Sequence, residues 1–190
     1  MKQWIVQLLR PVAGNGLIIL VYVLIISCMM LSPQASASCL ASKQLDSSQM
    51  SVVKEAYRYG KPHDLGYSLA AIAWKESNAG KWLVNVAKGE RSFGPFHISL
   101  ESATRRTGDG RLTDFQKNVL ASSLLGLRFS STYAIMELEY WQKIHGENAW
   151  RNIYASYNGG WNYKKALPQA YASDIIEKMK KLKGCFGEEG

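Results

Sequence analysis

The stretch Leu69–Gly80, L-A-A-I-A-W-K-E-S-N-A-G, decides how the rest of the chain is read. Leu65, Leu69, Ile72 and Glu76 follow one another at intervals of four, three and four residues. In a helix this spacing puts Glu76 on the same side as two leucines and an isoleucine. Burial on an apolar stripe raises a carboxyl pKa toward the range in which the acid form donates a proton near neutrality. A glutamate at the stripe's edge, paired with a lysine, is the plainer alternative, and the flanking sequence decides between them.

Working outward, Asn78-Ala79-Gly80 supplies a stop for this helix. Upstream, Asp46 and Gln49 have the spacing of a capping pair, with Met50, Val53 and Tyr57 on one face before Gly60-Lys61-Pro62 breaks the run. Downstream, Trp82–Arg91 has little pattern and reads as irregular. Ser92–Ile98, S-F-G-P-F-H-I, is too rich in Gly, Pro and aromatics for a helix and reads as an extended loop or short strand. Ser99–Thr107 reads as a short helix closed by Gly108-Asp109-Gly110, and Thr113 with Gln116 forms a second capping pair.

From there Phe115, Val119, Ser122, Leu125, Phe129, Thr132 and Met136 keep helical spacing toward Ile144, with Gly126 and Ser130-Ser131-Thr132 marking a bend or division. Gly146 ends that run. Asn148–Tyr157 is a further helix with Trp150, Ile153, Tyr154 and Tyr157 apolar, followed by the tight turn Asn158-Gly159-Gly160. Pro168 suits the first turn of a last helix carrying Ile175, Met179 and Leu182, with Gly184 past its end. Period 3.6 recurs and period two does not. The expected fold is a single small, mainly α domain with a short extended segment or minimal sheet.

The length of 190 residues accommodates one ordinary domain, and the 47% hydrophobic content supports a globular core. A formal charge of +8 points to an anionic partner. The densest basic run, Lys178, Lys180, Lys181 and Lys183, falls at a helix end, where cations complement the dipole, so no nucleic-acid partner is expected. Residues 1–37 read as a secretory signal peptide. Lys2 and Arg10 precede the apolar run Leu17–Leu31, and small residues at Ala35 and Ala37 fit a cleavage site, leaving 38–190 as the mature domain. Two alternatives stay open: an uncleaved membrane anchor, because Pro11–Ser42 carries no charge, and a loose lipoprotein-like site at Ile25-Ile26-Ser27-Cys28. Cleavage leaves Cys39 and Cys185, expected to join as a disulfide in an exported protein, with two free thiols as the alternative. His63, His97 and His145 are scattered without ligand spacing, so no metal site is expected.

Three motifs in order, W-K-E-S-N-A-G at Trp74–Gly80, S-F-G-P-F-H-I at Ser92–Ile98 and A-S-Y-N-G-G at Ala155–Gly160, resemble the catalytic domain of lytic transglycosylases of the goose-lysozyme-like family. Those enzymes cleave the glycan strands of bacterial peptidoglycan. The similarity runs from about Leu65 to Met179, and Tyr171 looks like the family's tyrosine near the start of the last core helix. The resemblance implies a lysozyme-like α+β fold acting as a monomer on peptidoglycan, without a cofactor. Glu76 is implied as the catalytic acid and later base, with Ser77 positioning substrate or the acid. Gly94, Phe96, His97 and Ile98 are implied to line the cleft, Tyr157 and Asn158 to face the glutamate, and Tyr171 to support the pocket. Small members of this kind serve secretion, conjugation or pilus machines, and phage lysis enzymes use similar domains. The chain departs from the family's common Gly-Leu-Met-Gln-Ile at Gly94-Pro95-Phe96-His97-Ile98, so that His97 stands where a glutamine is usual. Ser156-Tyr157-Asn158-Gly159-Gly160 differs mildly from Ala-Tyr-Asn-Ala-Gly.

The family reaction uses one carboxyl group: the muramic acid 6-hydroxyl attacks its own anomeric carbon, giving a 1,6-anhydro end, and gains from proximity. A muramidase that uses water needs a second carboxylate about 5 to 9.5 Å away. Glu90, Glu101, Asp109 and Asp114 are the candidates downstream, each expected on the surface, with Glu90 the first to check. A wall-docking protein that keeps the cleft is the alternative outside enzymes. Trp74, Trp141 and Trp150 are expected in the core, while Trp161 and Tyr163 are left open between surface and cleft.

Overall fold

The computed structural model describes residues 39–87, 89–106 and 111–186. The expected export segment, residues 1–37, and the candidate carboxylate Asp109 lie outside the described residues. The architecture is mainly helical with a small antiparallel sheet, as expected. Among the described residues there are seven α-helices: α1 Ser47–Gly60, α2 Gly66–Ser77, α3 Leu100–Arg106, α4 Asp114–Leu124, α5 Leu127–His145, α6 Trp150–Gly159 and α7 Ala166–Leu182. Three strands, β1 Val84–Ala87, β2 Glu90–Phe93 and β3 Ile98–Ser99, pair in sequence order.

Helix α2 is the axis of the domain. Leu69, Ala70, Ala71, Ile72 and Ala73 have no exposed surface, and Leu65 just before the helix is equally buried. Each of Leu65, Leu69 and Ile72 contributes about 1.5–3 kcal/mol by leaving water. Helices α1, α5 and α7 pack around it. Alanine-rich turns allow that close approach, and Gly66 allows it at the start, where a Cβ would come within 2.8 Å of the Tyr57 ring of α1. Such packing leaves little room for a polar group, so Ser68 is satisfied by the Tyr154 hydroxyl of α6 at 2.7 Å.

The helix stops where the sequence says it must. Asn78, Ala79 and Gly80 take φ values of 52°, 55° and 84°, and the Ala79 N–H closes on the Ala73 carbonyl at 3.0 Å. The stop is tied to α1. In the capping box there, Gln49 accepts from the Asp46 N–H through Oε1 and donates through Nε2 to the Asn78 carbonyl at 2.8 Å. The second expected box, Thr113 with Gln116, opens α4. Cys39 and Cys185 form a disulfide across a sequence separation of 146 residues.

Two expectations need correction. Trp82–Arg91, read as irregular, contains β1 and the start of β2. Val84 and Val86 both face solvent on an edge strand, so this hairpin has no alternating buried face to betray it. The run through Phe115, Val119, Leu125, Phe129 and Met136 divides near Gly126 as expected, but its helical spacing does not mark the buried face. Phe115 is 75% exposed, and the other four are also exposed. The run is two helices meeting at 100° around Leu125–Gly126, and the buried positions are Leu120 and Leu124 on α4 and Ala134, Ile135, Leu138 and Trp141 on α5.

Candidate active site

The last turn of α2 carries Glu76 into the wall of a cleft of about 780 Å³. The cleft's other walls are the sheet, through Asn85, Glu90, Ser92, Ile98 and Ser99; α3, through Ser102 and Arg106; α5, through Tyr133, Glu137, Tyr140 and Trp141; and the end of α6, through Ser156, Tyr157 and Asn158, with Gly160 and Trp161 beyond. A short helix-to-sheet connection places a glutamate from the central, largely buried helix opposite a sheet that is open to solvent. Glu76 keeps 18% side-chain exposure. It is therefore at the edge of the apolar stripe rather than sealed within it.

Three side chains surround the carboxyl group. His97 Nδ1 lies 3.4 Å from Glu76 Oε2, and its Nε2 lies 2.8 Å from the Trp82 carbonyl. The Tyr157 hydroxyl donates to the Phe96 carbonyl at 3.0 Å, pinning α6 to the turn before β3. Burial, and then the charges of Glu76 and Glu137, push the Tyr157 pKa well above 10. The Tyr171 hydroxyl of α7 is buried with no hydrogen-bond partner among the described residues. Burial first, and the Glu76 charge second, push its pKa well above the ordinary tyrosine value. An imidazole thus faces the carboxyl group, and two neutral phenols lie near enough to feel its charge.

The expected site residues divide. Glu76, His97, Ile98, Tyr157 and Asn158 line the cleft. Ser77 does not reach it: its hydroxyl, fully buried, donates to the Ala73 carbonyl at 3.0 Å and accepts from the Gly80 N–H at 2.7 Å. Its one hydrogen is spent and the oxygen is sealed from the cleft, so Ser77 holds the turn that carries Glu76. The Phe96 side chain is buried in the core, so only its carbonyl serves the site, through Tyr157. Gly94 is likewise buried and works by packing. With φ at 79°, it sits where a Cβ would come within 1.9 Å of the Leu124 carbonyl oxygen. Tyr171 is buried and does not line the cleft.

Glu137 was not among the expected carboxylates, although it lines the cleft. Its Oε1 accepts from the Trp141 indole at 2.8 Å, and its Oε2 accepts from Arg106 at 2.8 Å and Ser102 at 3.3 Å. The Arg106 guanidinium also lies 4.5 Å from the centre of the Tyr140 ring. The Glu137–Trp141 spacing of four residues on a helix was the available signal. Glu90 and Glu101 are exposed at the cleft, with Glu101 paired to Arg105 at 2.7 Å, and Asp114 is exposed on α4. Trp161 borders the cleft, 68% exposed, held edge-on against Trp141 at 5.1 Å. Tyr163 instead packs on His145 at 4.5 Å.

No family model and no solved structure matches the chain. Over 122 residues it is 34% identical to a 20.7 kDa protein of Enterobacteria phage T4, encoded in the vs-regB intergenic region and described as uncharacterized. The match spans 63% of this chain and 63% of that protein's length.

Proposed function

We propose that this chain is a peptidoglycan lytic transglycosylase that cleaves the bond between N-acetylmuramic acid and N-acetylglucosamine, with Glu76 as the single acid and base. The observation that carries the reading is the convergence of Glu76, Tyr157 and Asn158 from two separate motifs on one open cleft. Glu76 protonates the leaving glycosidic oxygen. It then takes the proton of the muramic acid 6-hydroxyl as that oxygen closes on the anomeric carbon, giving the 1,6-anhydro end. The exposed indole of Trp161 offers a face for a sugar ring, and Asn85, Ser92, Ser99 and Asn158 offer polar groups for its hydroxyl and acetamido substituents.

A second reading, hydrolysis by water, draws on Glu137 in the same cleft. Against it, three of the four lone-pair sites of the Glu137 carboxylate are occupied, by Trp141, Arg106 and Ser102. A nucleophile or base needs a free lone pair aimed at the reacting centre. Export of the chain with loss of residues 1–37 completes the proposal, supported by the Cys39–Cys185 disulfide, which suits an oxidising compartment. Two settings stand within the proposal, phage lysis and a secretion, conjugation or pilus machine; the similar chain encoded by phage T4 fits a phage origin and names no activity.

The test is digestion of purified peptidoglycan in ¹⁸O-labelled water with mass analysis of the sugar ends. Anhydro-muramic ends without label are expected. Reducing ends carrying one ¹⁸O would replace the reading with hydrolysis, and no soluble product would favour wall docking.

A further inference from the structure

His97 stands at the position where the chain departs from the motif it resembles, and everything around it is built to hold the ring. Its backbone adopts φ 44°, a left-handed conformation uncommon for any residue with a Cβ, and its N–H closes the turn onto the Gly94 carbonyl at 3.1 Å. The side chain is 9% exposed, with Nε2 2.8 Å from the Trp82 carbonyl and Nδ1 3.4 Å from Glu76 Oε2.

A carbonyl oxygen only accepts, so Nε2 carries a hydrogen. When His97 is neutral, Nδ1 is then a bare lone pair facing Glu76, matched only if the carboxyl group is protonated and donates to it. When His97 is charged, Nδ1–H donates to a Glu76 carboxylate. Both matched arrangements hold one proton between Oε2 and Nδ1. With no proton there, lone pair faces lone pair.

We propose that His97 is the proton partner of Glu76, holding one proton in common with it, so that the alkaline limit of cleavage belongs to the pair. This rests on the reading of Glu76 as the acid. In the reaction, the Oε2–H bond breaks as the new O–H bond forms on the leaving glycosidic oxygen, whose C–O electron pair stays with that oxygen. Glu76, now a carboxylate, takes the proton of the attacking hydroxyl, so the pair ends with the proton it began with. A proton that starts on Nδ1 crosses to Oε2 first, and the Nε2 hydrogen never leaves the Trp82 carbonyl. His97 is a positioning residue and makes no bond to the sugar.

The electrostatics agree. Burial, the largest single influence, pushes the His97 pKa down, yet the bond to Glu76, the Trp82 carbonyl and the Glu76 charge leave it raised above 6.5. The other titratable groups around the pair are quiet. Tyr157 from α6 and Tyr171 from α7 are kept as neutral hydroxyls. Glu137 from α5 is engaged by Arg106 from α3, and Glu101 by Arg105 on the same helix; Glu90 and Arg91 of β2 are exposed at the mouth. The charge acting on the imidazole comes from Glu76.

The test uses the full chain, labelled with ¹⁵N in its histidines, and follows the His97 ring nitrogens by NMR from pH 4 to 10. Expected are a bare Nδ1 and a protonated Nε2 at high pH, a titration midpoint above 6.5, and a fall of that midpoint in Glu76→Gln. An Nδ1–H tautomer, or a midpoint unmoved in Glu76→Gln, overturns the pairing whether or not the chain cleaves glycan.

The second arm is the pH profile of cleavage by wild type, His97→Asn and His97→Gln. Asparagine tolerates the left-handed backbone, and glutamine can still donate to Glu76 but cannot titrate. The alkaline limb is expected to move to lower pH in both variants, with a loss that grows from pH 5 upward and reaches roughly tenfold or more at pH 7. A reduced rate with the alkaline limb unmoved would mean that His97 only props the turn, and overturns the proposal. Absence of cleavage by the wild type counts against the transglycosylase reading, while the NMR titration still decides the pairing.

Discussion

Replacing Gly94 by alanine isolates the contact that seats the cleft turn on α4. At φ 79° any L-residue pays the left-handed penalty, roughly 1–2 kcal/mol. The added Cβ would also lie 1.9 Å from the Leu124 carbonyl oxygen and 3.2 Å from Ser130 Cβ. The nearest obstacle is backbone, so no side chain can swing aside, and the turn or the end of α4 must move. In a close-packed interior such a shift costs about 2–3 kcal/mol more. Gly89 is the matched control: its φ is 81°, and a Cβ there meets nothing within 4 Å. The expected losses are therefore about 3–5 kcal/mol for Gly94→Ala and about 1–2 kcal/mol for Gly89→Ala. For a chain of this size they correspond to Tm drops of roughly 10 °C and 4 °C. Urea and thermal unfolding of the two variants measure the difference directly. Losses equal within about 0.5 kcal/mol would refute the idea that the turn rests on Leu124, and with it this account of how His97 is placed.

Three further outcomes follow from the same structure. Cys185→Ser opens the 146-residue closure and is expected to cost about 2–4 kcal/mol, read as a Tm that falls on reduction in wild type and is insensitive to reductant in the variant. Trp161→Ala removes an exposed indole that packs edge-on against Trp141. It is expected to leave Tm within a few degrees while raising KM for glycan strands roughly fivefold, about 1 kcal/mol; unchanged KM would remove Trp161 from the sugar-binding face. Burial raises the Asp174 pKa, but hydrogen bonds from Lys178 and Lys75, both 2.6 Å away, outweigh it and hold the group below 3.8. A depressed carboxyl pKa gives stability that is present above its unfolded value and lost as pH falls through the lower native one. Asp174→Asn should thus destabilise above about pH 4 and flatten the acid limb of the stability profile below it.

The helical frame was legible because its signals are local. The Asp46–Gln49 and Thr113–Gln116 boxes, the Asn78-Ala79-Gly80 stop and the Gly146 stop are each complete within a few residues, and each forms as read. That Glu76 shares a cleft with His97, Ile98, Tyr157 and Asn158 was legible because its own helix and the downstream motifs agree. The failures share another cause. The division at Gly126 is legible in the sequence, but the stripe from Phe115 to Met136 carries its spacing across it, and a 100° turn restarts the register there. Ser130 and Ser131, which look polar, are buried because their hydroxyls donate to the Gly126 and Arg128 carbonyls at 2.9 and 2.7 Å. Strand β1 was missed because its pairing partner, not its own pattern, makes it a strand. Ser77 and Phe96 lie inside recognised motifs yet turn inward, since a motif constrains the fold of its segment as much as its chemistry. Glu137 was missed because its role needs Arg106, about thirty residues earlier, which only tertiary packing brings to it.

The central claim is that Glu76 is the acid of a glycan-cleaving cleft, and the most direct measurement compares the full chain with its Glu76→Gln variant on purified peptidoglycan. Glutamine keeps the shape of the side chain and cannot deliver the proton. Release of anhydro-muropeptides, quantified by mass spectrometry, is expected from the wild type and to fall by about 10²–10⁴-fold in the variant, with Tm nearly unchanged. A variant that is folded and retains cleavage within tenfold of wild type would contradict the account.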